Sequence, residues 1–123
     1  MEFDELSNKV IGCAFKVHSV LGPGLLESAY EQCLARELRL SGFEVKIQVP
    51  MPVEYKNLPL KCGYRLDLVA DDSLIVELKS VEALRPIHQA QLITYLNLSE
   101  IKVRLLINFN VKRLKDGIKQ LVV

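Results

Sequence analysis

The sequence has no long uncharged run. Its longest stretch without Asp, Glu, Lys or Arg is the 14 residues 86–99, which include a histidine, two glutamines and an asparagine. A membrane-spanning helix needs about 20 mostly apolar residues in a row, so we expect none. The acidic start of the chain, MEFDEL, is not typical of a secretory signal or a transit peptide.

Cysteine is also scarce. Cys13, Cys33 and Cys62 are odd in number and form no CxxC pair, which disfavours both a disulfide framework and a zinc site. We expect three reduced, packed thiols, and therefore a cytoplasmic protein.

The chain carries little excess charge. Sixteen basic and fifteen acidic residues give a net charge of +1. Proteins that hold nucleic acid by bulk charge are usually far more basic. Any nucleic-acid contact would therefore use a local patch or a bridging cation.

The remaining composition is that of a globular protein. Half of the residues are apolar and a quarter are charged. We expect residues 1–123 to form one domain, long enough to fold without a disulfide or a structural metal.

The order of elements predicts an α/β fold, a sheet with helices on its faces. Apolar periodicity predicts helices over residues 5–21 and 25–41, separated by the turn Gly22-Pro23-Gly24. An edge or bulged strand follows over residues 44–55, because its alternating pattern contains two prolines. The rest is predicted as a turn at 56–59, strands at 61–70 and 74–79, a helix opened by Pro86 and ending near 98, a strand at 102–109 and a short apolar tail.

Two carboxylates are predicted to face each other on the central strand pair. Side chains alternate between the faces of a strand, and one face forms the predicted core: Leu66, Leu68, Ala70, Leu74, Val76 and Leu78. A three-residue turn centred on Asp72 then pairs residues whose numbers sum to 144, which places Asp67 opposite Glu77. Like charges in opposed positions destabilise a strand pair, and burial increases that destabilisation. A divalent cation bound between the two carboxylates would make their electrostatic contribution favourable.

Lys79 is predicted on the same face, two residues beyond Glu77. A carboxylate pair with a neighbouring lysine suits metal-assisted phosphodiester hydrolysis, in which the lysine orients or activates the attacking water. The alternative is an exposed hairpin in which Lys79 forms salt bridges with both acids at little net energy.

The first two helices carry further polar candidates. Glu27 and Tyr30 share a face of the second helix, although a glutamate in a first turn also interacts favourably with the helix dipole. His18, near the end of the first helix, is more typical of a packed or surface histidine than of a catalyst.

The third helix carries His88, Gln91 and Tyr95 at spacings of three and four, on one stripe. Gln91 and Tyr95 are suited to hydrogen bonds with phosphates or a base edge. A half-buried core position is an equally good interpretation of Tyr95.

These residues resemble the motifs of a known family. Asp67, followed ten residues later by Glu77-Leu78-Lys79, resembles the D…(D/E)xK signature of the PD-(D/E)XK nuclease superfamily, and Gln91 to Tyr95 resembles its QxxxY element. The segment GLLESAY, residues 24–30, is similar to the GxxExxY motif that names a family of small proteins in this superfamily. Further similar segments cover essentially the whole chain: VHSVLGPGLLESAYE, CGYRLDLV, IVELKSVE and LLINFNVKRLKDGIK.

The resemblance implies a restriction-endonuclease-like core, with a mixed sheet of four or five strands flanked by helices. It also implies a Mg²⁺ site, for which Mn²⁺ would substitute, made by Glu27, Asp67, Glu77 and the backbone carbonyl of Leu78. Lys79 would orient or activate the attacking water.

The same resemblance implies that Gln91 and Tyr95 position either the substrate backbone or the active-site acids, and Tyr30 is also expected to bind substrate. We therefore expect a metal-dependent nuclease acting on DNA, and a homodimer, because so small a domain has little surface for gripping a duplex. An alternative is a catalytically silent nucleic-acid-binding or regulatory protein on the same fold. A hydrolase of a small phosphoester is a third, which the absence of a glycine-rich phosphate loop disfavours.

Overall fold

Helices and strands follow one another largely where the sequence places them. The computed structural model describes residues 4–60, 64–98, 100–101 and 103–122. The elements are α1 (Glu5–Leu21), α2 (Glu27–Leu40), β1 (Val45–Pro50), β2 (Glu54–Tyr55), β3 (Leu58–Pro59), β4 (Arg65–Ala70), β5 (Leu74–Lys79), α3 (Pro86–Leu98), β6 (Val103–Asn108), a 3₁₀ turn (Leu114–Gly117) and β7 (Ile118–Val122).

Five strands form a mixed sheet in the order β1-β4-β5-β6-β7. β5 and β6 are parallel and connected through α3, whereas the other neighbours are antiparallel. The predicted mixed sheet flanked by helices is confirmed. The apolar tail supplies its fifth strand, β7, which makes β1 and β7 the edges.

The register of the central hairpin follows the predicted arithmetic. Its paired residues, Leu68 with Val76 and Ala70 with Leu74, have numbers that sum to 144 around Asp72. Asp71 and Asp72 take left-handed backbone angles, φ 51° and 52°, which Asp tolerates better than most residues.

The main core lies between the sheet and the two N-terminal helices. It contains Val10 and Ala14 of α1, Leu34 and Leu38 of α2, and the inward side chains of the sheet such as Leu68, Val76 and Leu105. A smaller apolar cluster contains Val69 and Ile75, which alternate with the core residues and so lie on the opposite sheet face.

Leu66 does not share the core face with Leu68. It packs in the smaller cluster against Met51, Val69 and Ile75, so the even-numbered residues of β4 do not all point the same way. The adjacent strand is irregular at the neighbouring position: Gln48 has a backbone φ of 50°, and the pairing between β1 and β4 is interrupted there.

The second helix begins two residues later than predicted. Gly22 and Gly24 adopt φ 66° and 99°, a region that glycine enters without steric cost. The chain then stays extended through Leu26, which is the N-cap of α2.

Residues 44–55 do not form one continuous strand. β1 ends at Pro50, and β2 pairs with β3 in a separate two-stranded ribbon. Lys56 and Asn57 have φ 47° and 68°, the positive pair that a two-residue hairpin turn requires. The turn predicted over 56–59 is therefore shorter, and Leu58 and Pro59 belong to a strand.

The described cysteines are reduced, Cys13 buried and Cys33 half-buried, while Cys62 lies outside the described residues. In the part of the chain that the structure describes, no helix combines the length and apolar character needed to cross a membrane.

Two glycines give a matched test of packing. Gly12 is exposed in α1 with no atom near its missing side chain, whereas a Cβ on Gly117 would overlap the backbone oxygen of Asn108. Gly117→Ala should lower the free energy of unfolding by about 1–3 kcal/mol, and Gly12→Ala should raise it by about 0.5–1 kcal/mol. Urea unfolding measures both, and equal effects would contradict this packing.

Candidate active site

The hairpin strands stop pairing at Asp67 and Glu77. The last paired residues are Leu68 and Val76. Beyond them the backbone N–H of Asp67 donates to Glu77 Oε1 at 3.3 Å, and the N–H of Leu78 donates to Asp67 Oδ2 at 2.9 Å. Each carboxylate is thus fixed by the backbone of the opposite strand, and the two acids lie side by side.

The strand on the other side of Asp67 is also interrupted there. The register of β1 with β4 places Gln48 opposite Asp67, but the backbone pairing passes from Ile47 directly to Val49 and leaves Gln48 unpaired in the sheet. A left-handed backbone at a residue other than glycine costs about 1–3 kcal/mol. The Gln48 side chain donates from Nε2 to Glu31 Oε2 at 2.8 Å, which ties the interruption to α2.

α2 brings two further carboxylates to this point. Glu27 and Glu31 are one helical turn apart and share a face. The exposed Glu27 accepts at Oε1 a hydrogen bond of 3.3 Å from the backbone of Ser80, whose hydroxyl donates to the Leu25 carbonyl at 2.6 Å. Ser80, directly after Lys79, therefore joins the end of β5 to the start of α2.

These residues line one groove, which we call the acidic groove. Its volume is about 510 Å³, and its polar lining includes Glu27, Glu31, Gln48, Asp67 and Ser80. No Lys or Arg is among its described lining residues. A concave surface with charge of one sign concentrates the opposite charge, so this groove favours cations.

Burial dominates the electrostatics of Glu77. Its side chain is 7% exposed, and burial raises its pKa to about 8, with the charge of Asp67 adding to the shift and Lys79 opposing it. Burial likewise raises the pKa of Glu31, with the charges of Asp67 and Glu27 adding and the Gln48 hydrogen bond opposing. Burial and repulsion between neighbouring carboxylates therefore both oppose ionisation of Glu77 and Glu31.

Lys79 does not neutralise the acids by direct contact. It is half-buried, and in the described part of the chain it forms no ion pair with Asp67 or Glu77. Together with the burial of Glu77, this contradicts the alternative of an exposed, salt-bridged hairpin. A second cation, Arg104 of β6, is fully buried; burial lowers its pKa to about 10, and the charge of Glu77 opposes that shift.

The donors fit a hard divalent cation. Carboxylates and a backbone carbonyl are the oxygen ligands that Mg²⁺ and Mn²⁺ take, and Asp67 and Glu77 each use one oxygen on a backbone N–H, leaving the other for a further partner. Within the described residues no three Asp, Glu, His or Cys side chains already converge into a cluster. Binding a cation would therefore require the carboxylates to move closer together.

Comparison with known families decides the broad assignment. A family model described as the PD-(D/E)XK nuclease superfamily matches residues 4–121. The chain belongs to this superfamily. Membership indicates a nuclease-like function that depends on a divalent metal. Searches of curated proteins and of solved structures found no match.

In this member of the superfamily, Tyr30 is a core residue. It is fully buried and stacks on Phe109 with ring centroids 4.5 Å apart. Its hydroxyl donates to the Gly22 carbonyl at 2.6 Å and accepts from the Leu25 N–H at 3.1 Å. Substrate contact by Tyr30 does not fit this burial; instead, Tyr30 fixes the turn that leads into Glu27.

The other polar candidates lie outside the acidic groove. Gln91 is exposed on α3 and is not among the lining residues, and the side chain of Tyr95 lies outside the described part of the structure. His18 Nε2 donates to the Val111 carbonyl at 2.8 Å, which makes it a packing residue. His88 Nδ1 accepts from the backbone N–H of Arg85 at 3.0 Å.

Four contributors were not apparent from the sequence: Glu31, Gln48, Ser80 and Asn108. Glu31 follows Glu27 by four residues, and Ser80 follows Lys79, so spacing could have found these two. Asn108 is buried opposite Lys79 in the parallel register, and its side chain bonds both the N–H and the carbonyl of Val81, at 3.1 and 2.9 Å. Only the parallel pairing of β5 and β6 reveals that contact.

The raised pKa of Glu77 makes stability depend on pH. The folded state keeps the Glu77 proton above pH 4.5, where the unfolded state has lost it, until pH about 8. Stability in EDTA should therefore fall across that window, by up to about 1.4 kcal/mol per pH unit from this group. Glu77→Gln should remove that slope and be the more stable protein at the alkaline end.

Urea unfolding of both proteins across this pH range measures the difference in slope. Glu82→Gln, at an exposed position, is the matched control and should keep the wild-type slope. Parallel curves for wild type and Glu77→Gln would show that Glu77 is not held protonated by the fold.

Proposed function

We propose that this protein is a Mg²⁺-dependent nuclease that hydrolyses phosphodiester bonds in DNA, and a member of the GxxExxY family. The observation that carries the proposal is the pair Asp67 and Glu77, held together at a break in the sheet although burial penalises the charge of Glu77. Such a pair beside an acidic groove is best explained by a cation that it serves to bind.

Glu27, Asp67, Glu77 and the Leu78 carbonyl would hold the cation. Bound there, Mg²⁺ would polarise a phosphoryl oxygen and lower the pKa of its water. The chain's own contribution is to supply negative charge and to fix its position: the Leu78 N–H orients Asp67, and Ser80 orients Glu27.

Lys79 would orient the attacking water. Its backbone is fixed by β6, because its carbonyl accepts from the Phe109 N–H at 2.9 Å and Asn108 lies beside it in the sheet. Within the described residues its half-buried side chain forms no ion pair with Asp67 or Glu77, so its ammonium would be free to donate a hydrogen bond to water at the acids.

Substrate contacts extend this proposal to α3. Gln91 and Tyr95 would position the nucleic acid, and a homodimer would present two such sites to a duplex. The exposure of Gln91 supports contact with a macromolecule more than a role in the core.

One observation favours a second candidate, a nucleic-acid-binding or regulatory protein without turnover. The described acidic side chains do not form a preassembled cluster, and a pure binder has no need of one. The two candidates differ in whether a divalent cation binds and whether a strand is cut.

Cation binding has its own prediction. A cation that binds only the folded site at 100 times its dissociation constant stabilises the protein by about 2.7 kcal/mol, which for a chain of this size raises the melting temperature by roughly 10 °C. Mn²⁺ is the better probe because Mg²⁺ dehydrates reluctantly and usually keeps several waters when it binds protein carboxylates. The shift should grow as the pH approaches 8, since the cation needs Glu77 ionised.

Asp67→Asn should lose most of this thermal shift. Asp72→Asn is the matched control, because Asp72 lies on the same hairpin but is exposed, and among the described residues its side chain accepts a hydrogen bond only from Lys46, at 2.9 Å. The metal site would be contradicted if the wild-type protein melted at the same temperature in Mn²⁺ as in EDTA. It would also be contradicted if Mn²⁺ shifted the melting temperature of Asp67→Asn as much as that of the wild type.

Catalysis is tested with supercoiled, linear, branched and single-stranded DNA, each with Mg²⁺, Mn²⁺ or EDTA. Asp67→Asn, Glu77→Gln and Lys79→Ala should each reduce cleavage at least 100-fold, the usual scale for losing a charged group at the reacting centre, with Asp72→Asn again unchanged. Glu77→Gln cleaving at the wild-type rate would exclude the proposed site, and DNA binding without any cleavage would favour the second candidate.

A further inference from the structure

A second groove adjoins the acidic groove. Its volume is about 620 Å³, within the roughly 300–1,000 Å³ range of ligand sites. We call it the Arg85 groove; the lining residues that matter here are Ser80, Glu82, Arg85, Ile87, His88 and Asn110. Ser80 lines both grooves, so they meet at the residue that follows Lys79.

The two grooves differ in charge. The acidic groove has no described Lys or Arg in its lining, whereas the Arg85 groove carries the Arg85 guanidinium together with one carboxylate, that of the exposed Glu82. Arg85 is exposed, and its side chain forms no ion pair with the described residues. A phosphodiester chain is repelled by uncompensated carboxylates, so the Arg85 guanidinium is the group in this lining that would stabilise a neighbouring phosphate.

His88 adds a hydrogen-bond donor to the same groove. Its Nδ1 accepts from the Arg85 N–H at 3.0 Å and therefore carries no hydrogen. A neutral imidazole then has its hydrogen on Nε2, and that N–H is the donor available to a phosphate oxygen. One residue thus orders the start of α3 with one nitrogen and offers the other to a ligand.

The segment between the grooves is held in place. The Asn108 side chain bonds both backbone groups of Val81, and the Ser80 hydroxyl bonds the Leu25 carbonyl. The junction between the grooves is therefore preorganised, and binding along it loses little conformational entropy.

We propose that the Arg85 groove binds the sugar-phosphate backbone of the nucleic acid beside the bond that is cut, with Arg85 and His88 Nε2 on phosphate oxygens. This inference rests on the proposed nuclease function and adds the path of the strand. It also explains how a chain with a net charge of +1 holds a polyanion: one local cationic contact lies next to the cation-binding acids.

Binding of fluorescein-labelled single-stranded and duplex DNA, followed by fluorescence anisotropy in EDTA and again with Ca²⁺, tests the groove without turnover. Arg85→Gln should weaken binding about tenfold, the loss of one charge-assisted hydrogen bond, and lower the slope of log affinity against log salt by roughly 0.7–1. Arg36→Gln is the matched control, an exposed arginine that lines a different groove between α1 and α2, and should bind as wild type does.

Two substitutions of His88 separate ligand binding from loop ordering. His88→Gln places an amide N–H near the position of Nε2, whereas His88→Asn keeps an acceptor near Nδ1 and removes the donor. The proposal expects His88→Asn to weaken binding and His88→Gln to restore most of it. The reverse order would make His88 a capping residue and remove it from the groove.

The outcomes distinguish this inference from the nuclease proposal. DNA binding that depends on Arg85 without cleavage would support the groove and overturn the nuclease. Cleavage by a protein whose Arg85→Gln variant binds DNA as tightly as wild type, with the same salt slope, would overturn the groove alone. Absence of wild-type binding both in EDTA and with Ca²⁺ would also overturn it.

Discussion

The structure depends on two acids, Asp67 and Glu77, that face each other where a sheet would ordinarily continue its backbone pairing. Their side chains accept hydrogen bonds from backbone N–H groups of the opposite strand, so carboxylate oxygens take the place of one pair of backbone carbonyl acceptors in the sheet. Like charges in this position destabilise a strand pair, and Glu77 is too buried for water to screen its charge. The fold tolerates this cost because the next residues of both strands, Leu68 and Val76, are fully buried in the main core.

The alternation of side chains along β5 puts the core residues on one face of the strand and the proposed site residues on the other. Residues of β5 with even numbers, such as Val76 and Leu78, belong to the main core, whereas Glu77 and Lys79 alternate with them. The site can therefore carry unfavourable charge without weakening the face that packs against the helices. The same separation lets Arg104 remain buried beside the acids, where the charge of Glu77 opposes the loss of its proton.

Local patterns predicted the part of the structure that local physics determines. The opposition of Asp67 and Glu77 follows from alternation and an odd-numbered turn, and both properties are encoded within the hairpin itself. The position of Leu66 could not be predicted in this way, because it packs against residues outside its own strand, among them Met51 and Ile75. Tyr30 shows the same limit: its motif spacing suggests a site residue, but its ring meets Phe109, 79 residues later, in the core.

Contacts between residues far apart in the sequence bring together the segments that carry the separate motifs. Ser80 reaches Leu25 across 55 residues, and Asn108 reaches Val81 across 27, so α2 and β6 meet at the end of β5. Among the described residues, that meeting point has only acids as charged groups on one side, and the Arg85 guanidinium with the Glu82 carboxylate on the other. On the proposed function this polarity matches the substrate, because a cation at the acids and a guanidinium beyond Ser80 would act on neighbouring phosphates of one strand. A nearly neutral chain then needs no basic surface, since the charge that binds nucleic acid is concentrated where the bond is cut.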